Sequence, residues 1–245
     1  MHHSYEEIFA QRGHLYHQAM TRYPHAREEE FRQVVAFANL QRDALACDVP
    51  AGAGYLGRFA PQGTIIHVET STVFAGLCRD GGREVVLGDT AAIPLRSRSM
   101  DCVISIAALH HLWDKASFYR EAHRILRRGG TLCIADVRRH SPVALFLDEF
   151  VHAHSSTGHR GAYLDEQVAR DLSPLDFTVT HAAPVSYHWR FDSRDDLTTF
   201  FQLLFGIDRA TPAQVHEGLL PLRPEMNAGR WSINWELLFV KALKR

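Results

Sequence analysis

Three apolar segments in succession each close on an acid, and the first runs straight into a glycine-rich loop. ALACDV (Ala44 to Val49) carries Asp48, TIIHVE (Thr64 to Glu69) ends in Glu69, and REVVLGD (Arg83 to Asp89) ends in Asp89. Two further apolar runs follow, DCVISIAAL (Asp101 to Leu109) and TLCIADV (Thr131 to Val137). None of the five alternates as a strand with one wet face does. Continuous apolar runs of this length read as strands buried on both faces, hence as a parallel sheet covered by helices on each side. Helical spacing fills the intervals Ser71 to Arg79 and Lys115 to Leu126, the second halted by Arg127-Arg128-Gly129-Gly130. In such sheets ligands sit beyond the carboxyl ends of the strands, where strand order reverses. Three strand-end acids beside a glycine loop therefore converge on one crevice.

The flanks differ in character. Glu6 to Met20 and Ala26 to Gln41 read as helices, the second with Phe31, Val34, Val35, Phe37 and Ala38 at helical spacing. Pro142 to Leu172 reads as helical segments around the polar loop HAHSSTGHRG, Phe177 to Tyr187 as a strand, Asp192 to Leu220 as helical again, and Ser232 to Lys241 as a terminal strand. With 245 residues the expectation is one domain spanning 1–245. Within it, 1–42 forms N-terminal helices, 43–140 the ligand-binding core, and 141–172 with 192–224 two insertions that make a lid and substrate pocket.

Charge and cysteines narrow the class. Lys plus Arg number 27 and Asp plus Glu 28, a net charge of −1, so no general pull toward nucleic acid or acidic membranes is expected. No apolar run spans a bilayer and the opening MHHSYEEIFAQRG has no apolar signal stretch, which makes a cytoplasmic protein the expectation. Cys47, Cys78, Cys102 and Cys133 include no CxxC pair, and three lie in apolar runs, so buried reduced thiols are expected. His2 and His3 are given no role.

Gly52-Ala53-Gly54-Tyr55-Leu56-Gly57 matches GxGxxG, which alone fits any nucleotide and even a plain tight turn. The ordered set DVPAGAGYL, the acid of HVE, LGDTAAIPL, DCVIS with ALHHL, and LRRGGTLCIAD resembles the class I S-adenosylmethionine-dependent methyltransferases over about Asp48 to Val137. The resemblance implies an α/β, Rossmann-like, seven-stranded and mostly parallel sheet with a helical lid insertion. It also implies S-adenosyl-L-methionine as cofactor and a small-molecule or carrier-bound metabolite as acceptor. Carried over position by position, Gly52 and Gly54 pass under the methionine part and Asp48 holds the loop or reaches the amine. Glu69 accepts from the ribose diol, Asp89 with Thr90 beside it takes the adenine amino group, and Ala107 with Ala108 lines the methionine portion. Pro50 stands where the family often has glycine and removes one backbone donor.

For chemistry, His110 and His111 after the fourth strand are the candidate general bases, with Asp136 a second candidate or a turn residue. Tyr5, Arg12 and Tyr16 share one helical face, and Arg12 is set to pair with the cofactor carboxylate or to stay solvated. His188, Trp189 and His152 are the candidate substrate residues. His152, His154 and His159 have some of the makings of a zinc set, but lack an acid or cysteine at a convincing spacing, so a polar lid loop without metal is preferred. Two other readings stay open: a cofactor-binding member of the fold without turnover, and a nicotinamide-dependent oxidoreductase, against which Asp48 and the LGD and RRGG landmarks stand. Nucleic acid and membrane are not expected partners, and pairing into a homodimer is left open.

Overall fold

A computed structural model describes residues 4–60 and 63–245; His2 and His3 lie outside the described residues. The sheet runs β3 (Val85–Leu87), β2 (Thr64–Glu69), β1 (Leu45–Asp48), β4 (Met100–Ile106), β5 (Leu126–Asp136), β8 (Arg230–Lys244), β6 (Phe177–Phe191), with the short β7 (Glu225–Asn227) paired to β8. The first five strands are mutually parallel, whereas β8 is antiparallel to β5 and to β6. Strand order reverses between β1 and β4, so the crevice beyond Asp48 and Ile106 is where this topology places a ligand.

Both faces of the central strands β1, β4 and β5 are buried, as their continuous apolar runs require, whereas the edge strand β3, read from the sequence as buried on both faces, leaves Val86 and Leu87 exposed. In β1, Ala46 packs into one core cluster and its neighbour Cys47 into the other. In β5, Cys133 and Ala135 face the first while Leu132 and Ile134 face the second. One face is covered by α1 (Tyr5–Arg22), α2 (Glu28–Ala38), α3 (Thr72–Asp80) and α8 (Arg194–Phe205), the other by α4 (Lys115–Ile125) and α7 (Val168–Leu172).

The sequence reading differs at several edges. The expected seven-stranded sheet gains the short hairpin arm β7, which pairs with the start of β8 at Arg230 to Ser232, ahead of the anticipated Ser232 to Lys241. β6 continues past Tyr187 to Phe191 because β8 pairs with it along its length. The Arg127 to Gly130 segment does not merely stop α4. It opens β5 through a register shift against β4, and Gly129 supplies the positive φ of 78°. The region after β5 contains α5 (Pro142–Leu145), a π-turn over Phe146–Val151 and the short α6 (His152–His154); α9 (Pro212–Gly218) follows α8. No helix among the described residues is long and apolar enough to cross a membrane.

α1 matters most for the site. Ser4 and Glu7 form a reciprocal cap at its start, with Ser4 N donating to Glu7 Oε2 at 2.7 Å and Glu7 N to Ser4 Oγ at 3.2 Å. Gly13 lets α1 lie close on α3, since a Cβ there would meet Val73 Cγ1 at 2.9 Å. The face carrying Tyr5, Phe9, Arg12 and Tyr16 is thereby laid across the strand ends.

All four cysteines are free and buried, and burial pushes the Cys47 thiol up from its ordinary value. Cys102 and Cys133 sit on adjacent strands with sulfurs 3.9 Å apart. A water-soluble thiol reagent is therefore expected to label none of the four rapidly at neutral pH and all four in denaturant. Fast native labelling of Cys47, Cys102 and Cys133 would contradict the central position of β1, β4 and β5.

Candidate active site

The glycine loop leaves β1 through the cis Val49–Pro50 bond and carries Gly52 and Gly54 at φ of 57° and 72°. A side chain at Gly54 would be strained by that φ and would run into Arg83 Cδ at 2.6 Å and Cys78 Sγ at 3.0 Å. Gly52 N donates to Glu69 Oε2 at 2.6 Å and Ser71 N to Glu69 Oε1 at 2.7 Å, while the Tyr5 hydroxyl donates across from α1 at 3.3 Å. Glu69 is fully buried. Burial pushes its carboxyl up to about 7, against the pull of Ser71 N, Gly52 N and Tyr5. Asp48, also buried, accepts from His67 Nδ1 at 3.1 Å; burial raises its carboxyl and the imidazole opposes that rise. A cavity of about 50 Å³ touches Asp48, Gly52, Tyr5, Tyr55 and Ala107. Asp89 is exposed, its Oδ1 accepting from Ala91 N at 2.8 Å, with Thr90 buried beside it.

A second cavity, of about 40 Å³, shares Phe9, Tyr16, Arg27 and Ala107 with the first. Its wall is made by His110, His111 and His159, by Trp189 and Trp235, and by Arg12. Both insertions reach it, the first through Leu147 and His159 and the second through Leu204 and Phe205. Ala107, at φ 48°, turns the chain out of β4, and its N–H is held by Ala135 O at 2.8 Å.

Asp136 organises this wall. Its Oδ2 accepts from Ala108 N at 2.9 Å and Leu109 N at 2.6 Å, and its Oδ1 from Val137 N at 2.6 Å and His110 Nδ1 at 2.6 Å. Burial alone would raise this carboxyl, but His110, Val137 N and Lys115 together hold it below the usual range, so it is ionised. An ionised acceptor fixes the tautomer of the neutral His110 ring: Nδ1 carries the proton and Nε2 the lone pair. His111 and His159 behave differently. Burial above all, with the neighbouring His110 and His159 rings and Arg12 adding to it, keeps His111 well below its ordinary value. Burial brings His159 down to about 4 despite Asp148, whose Oδ1 lies 3.6 Å from its Nδ1. Both are neutral at physiological pH.

The expected substrate residues divide. Trp189 lines the cavity, stacks on Trp235 with centroids 4.0 Å apart, and donates Nε1 to Glu30 Oε2 at 2.8 Å. His188, its strand neighbour, is exposed on the opposite face, as strand alternation dictates, and is no part of the cavity. His152 also stays outside; its Nδ1 accepts from His159 N at 3.1 Å and so shapes the loop that delivers His159. His154 bonds Phe150 O at 2.9 Å, so His152, His154 and His159 do not converge; instead His110, His111 and His159 bring ring nitrogens within 4.8 Å of one another. Arg12 lies with the histidines, not against the glycine loop. Three contributors escaped the sequence reading: His67 on Asp48, Asp148 behind His159, and the buried Arg27–Glu30 pair under Trp189. Only the last had a local signal, the i, i+3 spacing on a helix.

Residues 47–134 match a family model described as a methyltransferase domain. Over this stretch the chain is similar to the S-adenosylmethionine-dependent methyltransferases. S-adenosyl-L-methionine is the cofactor of that family. Over 100 residues the chain is 32% identical to a "Probable S-adenosylmethionine-dependent methyltransferase" of Mycobacterium tuberculosis, covering 40% of this chain and 36% of that one. It is 28% identical over 125 residues to the mouse (Mus musculus) tRNA (carboxymethyluridine(34)-5-O)-methyltransferase, covering 49% of this chain and 19% of that one. The crystal structure of an S-adenosylmethionine-dependent methyltransferase from Thermotoga maritima superposes with a TM-score of 0.65 at 16% identity, covering 98% of this chain and 99% of that one. The chain spans about half or less of the length of the curated relatives it matches, 53% and 36% for two of them.

Asp136→Asn tests the organising role. The amide keeps the shape, but brings its own N–H groups toward four converging donors, so stability should fall by about 2–4 kcal/mol in urea unfolding. The pH dependence has a definite sign. Asp136 titrates lower in the folded chain than in the unfolded one, so its stabilisation is present above the ordinary carboxylate range and is lost as the pH falls through it. The variant should lose that part of the acid slope; an unchanged slope would remove Asp136 from the centre of the site.

Proposed function

We propose that this chain transfers a methyl group from S-adenosyl-L-methionine to a small-molecule or carrier-bound acceptor, with His110 taking the acceptor's proton. The observation that carries the reading is the Asp136–His110 contact of 2.6 Å at the end of the parallel sheet, which leaves Nε2 as the lone-pair nitrogen of a ring lining the cavity. Two further features support an enclosed, small acceptor: the near-neutral charge of −1, and a cavity walled by both insertions.

The strand-end residues fit the cofactor on their own geometry. Gly52 and Gly54 hold backbone conformations open to a close approach. Glu69 accepts three internal hydrogen bonds, and two carboxylate oxygens offer about four lone-pair sites, the Tyr5 contact being the longest and most readily exchanged. In this reading Glu69 takes the ribose diol, Asp48 the loop or amine, Asp89 and Thr90 the adenine edge, and Ala107 the methionine portion. When bound, the cofactor supplies a methyl group already activated on a sulfonium. The chain's own part is alignment, exclusion of water by the aromatic wall, and removal of a proton at Nε2 of His110. His111 and His159, held neutral, serve as partners for polar groups of the acceptor and add no charge of their own.

Three measurements test this. Purified protein supplied with methyl-labelled S-adenosylmethionine and fractions of a cell extract should move label into the low-mass or carrier fraction. Label found only in tRNA would overturn the acceptor class. On the acceptor so identified, His110→Gln should cut turnover by about 10²–10⁴-fold and leave cofactor affinity nearly unchanged. For Glu69, calorimetric affinity for S-adenosylhomocysteine should fall as the pH drops below about 7, because the carboxyl holds a proton there that must leave before both hydroxyls are accepted. Glu69→Gln should bind about tenfold or more weaker and lose that slope. A flat wild-type profile between pH 8 and 6 would place the ribose elsewhere.

A further inference from the structure

Among the charged groups of the site, Arg12 is the one whose burial its surroundings do not balance. It is 5% exposed. Its NH1 donates to Phe205 O at 2.8 Å, its Cζ lies 5.3 Å from the Phe9 ring centroid, and its Nε has no hydrogen-bond partner. Among the described residues no acidic side chain pairs with it. Arg27 is the instructive contrast. Equally buried in the same cavity wall, it is paired with Glu30 and bonded by the Tyr16 hydroxyl, and Trp189 completes the carboxylate. The chain balances one guanidinium from within and leaves the other open.

A buried charge without a counter-ion is costly, and it is the kind of cost a ligand removes on binding. We infer that Arg12 receives an anionic group of the methyl acceptor, so that the substrate class is a carboxylate-bearing molecule whose body lies against Trp189, Trp235 and Phe205. This deepens the small-acceptor reading and rests on it. The position of the arginine supports the assignment: it opens onto the cavity of His110, His111 and His159, not onto that of Asp48 and Gly52. Arg12 is anchored from the far side, through Phe205 O and the close approach of Gly206, whose Cβ position lies 3.4 Å from Arg12 Cδ. The cavity of about 40 Å³ marks where the anionic head enters, and seating the whole acceptor displaces a wall.

The three histidines invite another ligand, a divalent cation, since their ring nitrogens lie within 4.8 Å of one another. Charge argues against it. A divalent ion would add positive charge to a cavity that already holds an uncompensated guanidinium. An anion satisfies Arg12 and leaves Nε2 of His110 free for a proton.

The test uses the full chain saturated with S-adenosylhomocysteine, titrated with two acid and amide pairs, acetate against acetamide and benzoate against benzamide. At least one acid should bind about tenfold or more tightly than its amide. Arg12→Gln should abolish that preference and Arg12→Lys keep part of it, with S-adenosylhomocysteine affinity changed less than about threefold in both. Three results would overturn the inference. Acids that bind no better than their amides remove the anion site. An Arg12→Gln variant that loses S-adenosylhomocysteine affinity instead assigns the arginine to the cofactor carboxylate. One-to-one Zn²⁺ binding that His159→Gln destroys, without any acid preference, makes the cavity a metal site. Loss of S-adenosylhomocysteine binding by the wild type itself would instead refute the cofactor reading, which separates the two failures.

Discussion

The carboxylate of Asp136 is the interaction on which the rest of the site depends. It is wholly buried, and four donors converge on its two oxygens. Three are backbone N–H groups from the turn after β4 and from the residue after Asp136 itself. Those groups have no strand partner, because β4 and β5 end at that level. One acidic side chain thus satisfies the ends of two adjacent strands and fixes where the chain turns. The fourth donor is His110. Position and tautomer of the candidate base therefore follow from the requirement that buried backbone groups be paired.

Glu69 plays a related part on the other side of the switch point. It holds Ser71, the N-cap of α3, through Ser71 N, ties down the glycine loop through Gly52 N, and meets α1 through Tyr5. The two backbone bonds would hold a carboxyl down, yet burial wins and the group is displaced upward to about 7. A carboxylate so desolvated gains from any further donor brought to it. Its two firm bonds are made by elements of the core, and its long one by a helix laid across the opening. The geometry thereby separates what holds the residue from what covers it.

Much of this was legible in the chain. The parallel core and the acids beyond its strands follow from unbroken apolar runs leading to Asp48 and Glu69, which is how strands buried on both faces read, while the run before Asp89 turned out to be an exposed edge strand ending at Leu87. Boundaries were less legible: Gly129 reads as a helix stop, but its positive φ serves a bulge that opens β5. The glycine loop and His110 were found because local chemistry marks them. Pairs distant in sequence were not. His67 on Asp48, Asp148 beside His159 and Trp189 on Glu30 depend on how the insertions and N-terminal helices pack, which no local pattern encodes. His188 and Trp189 show the limit of reading a cluster as a unit, since alternation puts adjacent strand residues on opposite faces.

The two cavities, about 50 and about 40 Å³, are far below the roughly 300–1,000 Å³ of ordinary ligand sites. Occupancy therefore requires displacement of a wall, and the contacts rank the walls. The glycine loop and the strand ends are held by short backbone bonds to buried carboxylates. The middle of the N-terminal region is held by the Arg27–Glu30–Trp189 network, in which every charge is paired. The first turns of α1 meet the site through a 3.3 Å bond from Tyr5, the ring contacts of Phe9, and an arginine whose only hydrogen bond among the described residues is to a carbonyl. An incoming ligand offers a better partner to both Tyr5's acceptor and Arg12. The segment that is cheapest to move is thus the one whose polar groups gain most from the ligand, and the same helix face that seals the crevice is the one that binding would reorganise.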